Sequence, residues 1–177
     1  MSMQYIGLKN KVIEYKKIIA NAFIYRQDWN EHLKNFIITE IKKMAEVADL
    51  ELSVKVQDNV GNLEGVTCSL GRSASGIYEK VDEDTNKPLI KHNGTLIYQQ
   101  LFNGKIQVMV SLPHIEGFGD PPPPKFLGIY RPEELKLPFL ERHMEEFIKV
   151  VTSWEDLDDE EPSHHKIGFQ MPSVPVE

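Results

Sequence analysis

Three places in the chain carry side chains suited to chemistry. His114, Glu116 and Asp120 fall within seven residues, directly after an apolar stretch. Imidazole and carboxylates ligate metals and move protons, so this segment could form a metal or acid–base site. No second histidine stands at the helical spacing of His-Glu-x-x-His, and a solvated loop is the plainer expectation. Gly71-Arg72-Ser73-Ala74-Ser75-Gly76 could cradle an anion, with glycines opening a backbone nest and Arg72 pairing a phosphate or carboxylate. It lacks the Gly-x-x-x-x-Gly-Lys-Ser/Thr spacing of a phosphate loop and precedes an extended run, which predicts a connection between strands. Cys68 is the sole cysteine and alternates with Val66 and Leu70, so it is expected inside as a small core residue. Ser73 and Ser75 sit in no Gly-x-Ser-x-Gly elbow.

The other histidines offer less. His164 and His165 are neighbours in an extended tail and point apart. His92 adjoins an Asn93-Gly94 turn, and His32 and His143 stand among polar helix residues, where surface positions are expected. No catalytic constellation, metal or cofactor is expected from this inventory.

The elements that must position these groups follow from period. Val12, Ile13, Ile19, Ala22 and Phe23 recur at helical steps, which predicts a helix over about 6–26. Asp28-Trp29-Asn30-Glu31 reads as a capping box opening a second helix over about 29–48. Its apolar stripe is Trp29, Leu33, Phe36, Ile37, Ile41, Met44 and Val47. The short junction leaves one long bent helix as the competing reading. At Leu50 the period changes to 2. Leu50, Leu52, Val54 and Val56 form one strand, and Val66, Cys68 and Leu70 a second, antiparallel to it. A third short strand falls at Ile77–Val81.

Asn103-Gly104 predicts a two-residue hairpin turn. That turn sets Leu101 opposite Ile106, Gln99 opposite Val108 and Ile97 opposite Val110 on a core face. Leu96, Tyr98, Phe102 and Met109 then fall on a second, semi-apolar face, the candidate interaction surface. Residues 113–132 read as a long irregular segment with four consecutive prolines. A last helix is expected over about Pro138–Trp154, with Leu140, Met144, Phe147, Ile148, Val151 and Trp154 inward.

The expected fold is α+β: two N-terminal helices, a four- to five-stranded antiparallel sheet with a C-terminal hairpin, one C-terminal helix and an acidic tail. Strict βαβ alternation is absent, which argues against a dinucleotide-binding fold. Residues 1–154 form the expected domain and 155–177 an acidic, proline-containing C-terminal arm.

The chain has 177 residues, 41% of them hydrophobic, with 20 Lys and Arg against 27 Asp and Glu, which suits one globular domain. The net charge of −7 argues against nucleic acid, whose binders carry a basic footprint. Glu155–Glu161 holds six acidic groups, suited to docking on a basic surface or simply to solvation. A lone cysteine excludes an internal disulfide and favours a reducing compartment. Apolar runs stop far short of the ~20 residues a membrane span needs, and no signal-peptide pattern opens the chain. A cytoplasmic location is expected.

The functional expectation is non-catalytic binding of another macromolecule, in an accessory, chaperone-like or inhibitor-like role, with a protein partner or self-association. The alternative is a small-ligand site or enzyme pocket between the sheet and residues 113–131. Tyr98, Phe118, Phe126 and Tyr130 would line that pocket, with His114, Glu116 and Arg131 as its polar groups.

Overall fold

The computed structural model describes residues 3–157. The acidic run beyond Leu157, His164, His165 and the tail prolines lie outside the described residues.

The N-terminal region is one helical run. Helix α1 (Ile6–Asp28) passes through a π-turn at Trp29–Leu33 into α2 (Lys34–Val47). Asp28 has helical angles and makes no capping bond, so the expected capping box is replaced by a continuous helix. The reason lies in the burial spacing. Tyr25, Trp29, Leu33, Ile37, Ile41 and Ala45 are buried at strict four-residue steps. An ideal α-helix drifts about 40° past such a stripe at every step. The wider π-turn takes up part of that drift and keeps Trp29 and Leu33 on the core side. Val47, placed inward by the sequence pattern, is 90% exposed because the chain is already leaving the helix.

Two antiparallel sheets follow. The larger has the order β1 (Ser53–Val60), β2 (Leu63–Ser69), β5 (Thr95–Gln100), β6 (Ile106–Ser111), β8 (Lys125–Tyr130). The smaller is β3 (Arg72–Lys80), β4 (Asn86–His92), β7 (His114–Ile115). The third strand expected near Ile77–Val81 is therefore longer and sits in its own sheet. The segment 113–132 is not wholly irregular, since β7 and β8 pair within it.

The two sheets share one long hairpin. Ser69 pairs with Thr95 in the first, and Arg72 with His92 in the second, in unbroken register. The ladder bends between these pairs at Gly71 (φ 78°) and Gly94 (φ 102°). A side chain at Gly94 would come within 3.0 Å of Val151 on the C-terminal helix α3 (Leu137–Glu155), so the bend doubles as a close approach.

Helices α2 and α3 cover one face of the larger sheet. Trp29, Ile37, Ile41, Val66, Cys68, Leu96, Tyr98, Ile106, Val108, Val110, Leu140 and Phe147 form one core. This is a two-layer α+β architecture, with hydrophobic faces of helix and sheet buried against each other.

The hairpin register differs from the sequence expectation by one residue. Tyr98 pairs with Val108, Leu96 with Val110 and Gln100 with Ile106. Leu101 N–H donates to Lys105 C=O at 2.8 Å and Gly104 N–H to Leu101 C=O at 2.9 Å, closing a three-residue turn. A one-residue slip turns every side chain of a strand over. It brings Leu96 and Tyr98 onto the face of Val108 and Val110, and that apolar match decides the register. The assignment of Leu96 and Tyr98 to an outer interaction face is corrected: both are fully buried.

Gly104 meets two demands at once. Its φ is 79°, and an added Cβ would lie 2.7 Å from the Tyr25 Cβ and 2.8 Å from the Ala22 carbonyl oxygen. The hairpin tip thus rests on α1, where Arg26 donates to the Phe102 carbonyl. Gly104→Ala combines left-handed strain with a backbone clash and is expected to cost about 2 kcal/mol or more. The urea midpoint measures it, and an unchanged midpoint would mean that the tip does not seat there.

Candidate functional site

Three groupings of side chains stand out, and they lie in different places. The first is a shallow cleft at the bend between the sheets. Four hydroxyls run in register across the larger sheet: Ser53, Ser69, Thr95 and Ser111. Arg72, His92 and His114 run in register across the smaller one. Side chains on paired residues share a face, so the bend sets a hydroxyl row beside a row of one arginine and two histidines. Lys55, Arg72 and His92 line the resulting cleft of about 480 Å³ with the hydroxyl row.

Two of the expected site residues meet at this cleft's edge. The His92 and His114 rings stack at 4.4 Å, nearly parallel, and His92 Nε2 lies 2.6 Å from Glu116 Oε1. The bond to His92 holds the Glu116 carboxyl below its ordinary range, helped by the charges of His92, Arg72 and His114, while burial acts the other way. Asp120 is exposed. Among the described residues no group of three or more His, Cys, Asp or Glu is placed to hold a metal ion. The anion-cradle glycines Gly71 and Gly76 act as strand bends, both with positive φ. What the cleft offers is a set of hydrogen-bond donors, suited to an anion or a polyol.

The second grouping is internal. His143 on α3 is buried, which corrects the expectation of a surface position. Its Nδ1 lies 3.2 Å from the Tyr98 hydroxyl and its Nε2 3.1 Å from the Tyr130 hydroxyl. A neutral imidazole carries one proton, so one tyrosine donates to the ring and the other accepts from it. Burial, with a smaller push from the Arg142 charge, lowers the His143 pKa to about 4. Burial foremost pushes the Tyr98 phenol well above its usual value. The relay ties α3 to β5 and β8 and fixes the helix on the sheet.

The pocket expected between the sheet and residues 113–131 is therefore not assembled. Tyr98 and Tyr130 point to the helices. Phe126, 56% exposed, pairs with Met109 on the opposite, open face. His114 lies in β7 of the smaller sheet and Glu116 directly after it, and Phe118 is half-buried in the turn that follows, its N–H bonded to the Ile115 carbonyl. Arg131 is exposed and donates its backbone N–H to Glu134 at the start of a short helical turn. Phe102, 78% exposed, caps the hairpin tip. Cys68 is fully buried, and burial pushes its thiol up to about 12, which removes it as a nucleophile.

The third grouping is the first half of α1. Every residue from Gln4 to Ala20 is exposed. Tyr5, Ile6, Leu8, Val12, Ile13, Tyr15, Ile18, Ile19, Phe23 and Ile24 are 40–67% exposed. The apolar period of Val12, Ile13, Ile19, Ala22 and Phe23 predicted the helix but named no surface for it to pack on. The signal that separates this helix from a core helix is its polar distribution. Tyr5, Leu8, Val12, Tyr15, Ile19 and Ala22 follow alternating steps of three and four, a coiled-coil seam. Ile6, Ile13, Ala20 and Ile24 make a second stripe on another side, with Lys9 and Lys16 between the two.

No known protein family, curated protein or solved structure matches the chain.

Proposed function

We propose that this protein works by binding another protein, without catalysis, and that the N-terminal arm, residues 5–24, is the binding element. The observation that carries this reading is the arm's unburied apolar surface. Ten large apolar side chains stand exposed on α1 and the turn that leads into it. On a typical monomer even the largest apolar patch, about 300–600 Å², is often functional, and a helix exposing this many large apolar side chains marks an interaction site.

Two physical arguments favour a protein over a lipid surface. A helix lying on a membrane needs one continuous polar face toward water. Here Asn10, Glu14, Lys17 and Asn21 make one polar stripe, but Lys9 and Lys16 stand in the middle of the opposite, apolar side, where a membrane would have to bury them and a protein can seat them on carboxylates. Second, an unpacked helix of this length, rich in Ile, Tyr and Phe, is marginal by itself in water. Packing against a partner supplies what propensity does not. No helix among the described residues is long and apolar enough to cross a membrane.

The test is a photo-crosslinking amino acid placed at Ile13 in the full chain and activated in living cells. Adducts to protein are expected. Adducts confined to lipid, or crosslinks only within the same chain, would overturn the reading.

A further inference from the structure

The partner's chemistry can be read from charge. Residues 1–27 hold five basic groups and one acidic group, a net of +4. Residues 28–157, the described body, hold 14 basic and 21 acidic groups, a net of −7. The arm is thus a basic, apolar rod on an acidic body. Tyr25 and Trp29 anchor its base in the core, and α1 runs outward from there to Ile6 without a break. An unbroken helix is stiff, so the arm does not fold back onto the body that carries it.

We propose that the arm seats on the body of a second copy of this chain, reciprocally, giving a twofold arm-exchanged dimer. This rests on the reading of the arm as a protein-binding element and names its occupant. The size fits: the seam through Leu8, Val12, Tyr15 and Ile19 spans about three helical turns, and a twofold axis uses that contact twice. The charge pattern also selects the mode. The seam through Leu8, Val12, Tyr15 and Ile19 is bordered by Lys9, Lys11 and Lys16. Two arms zipped to each other along that seam would set lysine against lysine, which disfavours an arm-on-arm coiled coil. The acidic body of the second copy is the complementary seat for those lysines. The apolar surface continues past the arm's base, where Phe23, Ile24 and the hairpin-tip Phe102 are 67%, 59% and 78% exposed. The dimer contact therefore begins at the hairpin tip and runs along the arm.

The experiment uses the full chain in three forms: wild type, Ile13→Asp/Ile19→Asp, and Lys9→Glu/Lys16→Glu. Native mass spectrometry and sedimentation give the oligomeric state, and hydrogen exchange gives the protection of residues 6–24. These side chains are exposed, so the body is expected to fold in all three. The expected result is a wild-type dimer with a protected arm. The aspartate variant dissociates about 100-fold or more readily and its arm amides exchange freely. The glutamate variant also dissociates more readily, because it repels the acidic seat.

A tighter dimer in the glutamate variant would mean that arms pair with arms, and overturns the proposed seat. A dimer insensitive to Ile13→Asp/Ile19→Asp would place the interface elsewhere and overturns it too. A wild-type monomer with a freely exchanging arm removes the second copy as occupant while leaving the arm open to another protein. A wild-type monomer with a protected arm would mean that the arm packs on its own chain, and both readings fall together.

Discussion

Trp29→Ala is expected to remove about 3–5 kcal/mol of stability, the range for deleting a large buried aromatic side chain. Trp29 is fully buried at the π-turn, where the long helix crosses from open solvent to the core. Its indole Nε1–H donates to Glu64 on β2 at 2.9 Å, and the same carboxylate oxygen takes Lys34 Nζ at 2.9 Å. Those two bonds, Lys34 first, hold the Glu64 carboxyl below its ordinary range. The side chain therefore does two jobs: it fills the core between α2 and the sheet, and it fixes the angle at which α1 leaves the body. Trp29→Phe keeps most of the volume and gives up the hydrogen bond, so a smaller loss of about 1–2 kcal/mol is expected. Urea unfolding followed by far-ultraviolet circular dichroism measures both. A loss below about 1 kcal/mol for Trp29→Ala would contradict the packing described for the π-turn.

The second large effect is an acid loss of stability carried by His143. The ordinary histidine value of 6.5 applies to the unfolded chain, and burial lowers the folded value to about 4. The unfolded state therefore binds the proton more readily. Stability is full above about pH 6.5 and falls as the pH drops toward 4. At 1.36 kcal/mol per pKa unit the full loss is on the order of 3 kcal/mol. Glu64, Glu116 and Glu146 also have lowered values, but their contributions disappear only below the ordinary 4.5. The interval between pH 6.5 and 5 thus isolates His143 from these carboxylates. His143→Leu removes the titration and leaves the Tyr98 and Tyr130 hydroxyls without their shared partner. At pH 7 it is expected to be less stable by about 1–3 kcal/mol for the buried Tyr98 hydroxyl alone. Its stability should then change much less than that of the wild type between pH 6.5 and 5. If both proteins show the same slope there, another group is responsible.

Much of the fold was written locally. The switch from helical period to alternation at Leu50 marks where helix gives way to strand, and the structure begins β1 at Ser53. The last helix, expected over 138–154, runs Leu137–Glu155, because Pro138 and an unbroken apolar stripe define it without help from distant residues. Cys68 alternates with Val66 and Leu70, and all three lie inward or partly so. These features depend on side-chain period and backbone restriction within a few residues, which a sequence carries in full.

Tertiary contacts decided the rest. Asn103-Gly104 permits a two-residue turn, yet the chain adopts a three-residue one, because only that register sets Leu96 and Tyr98 against Val110 and Val108. Turn chemistry allows either; shared burial chooses. His143 resembles a surface histidine among Arg142, Glu141 and Glu145, and only two tyrosines from β5 and β8 make it an internal partner. The row of Arg72, His92 and His114 joins residues up to 42 positions apart, and a strand bend at Gly71 and Gly94 sets it beside the hydroxyl row. The arm is the clearest case. An apolar helical stripe states that a helix wants a neighbour, but not whether that neighbour lies in the same chain. Among the described residues, α2, α3 and the sheet fill the core with one another and leave residues 4–20 exposed, so the stripe is no part of that core.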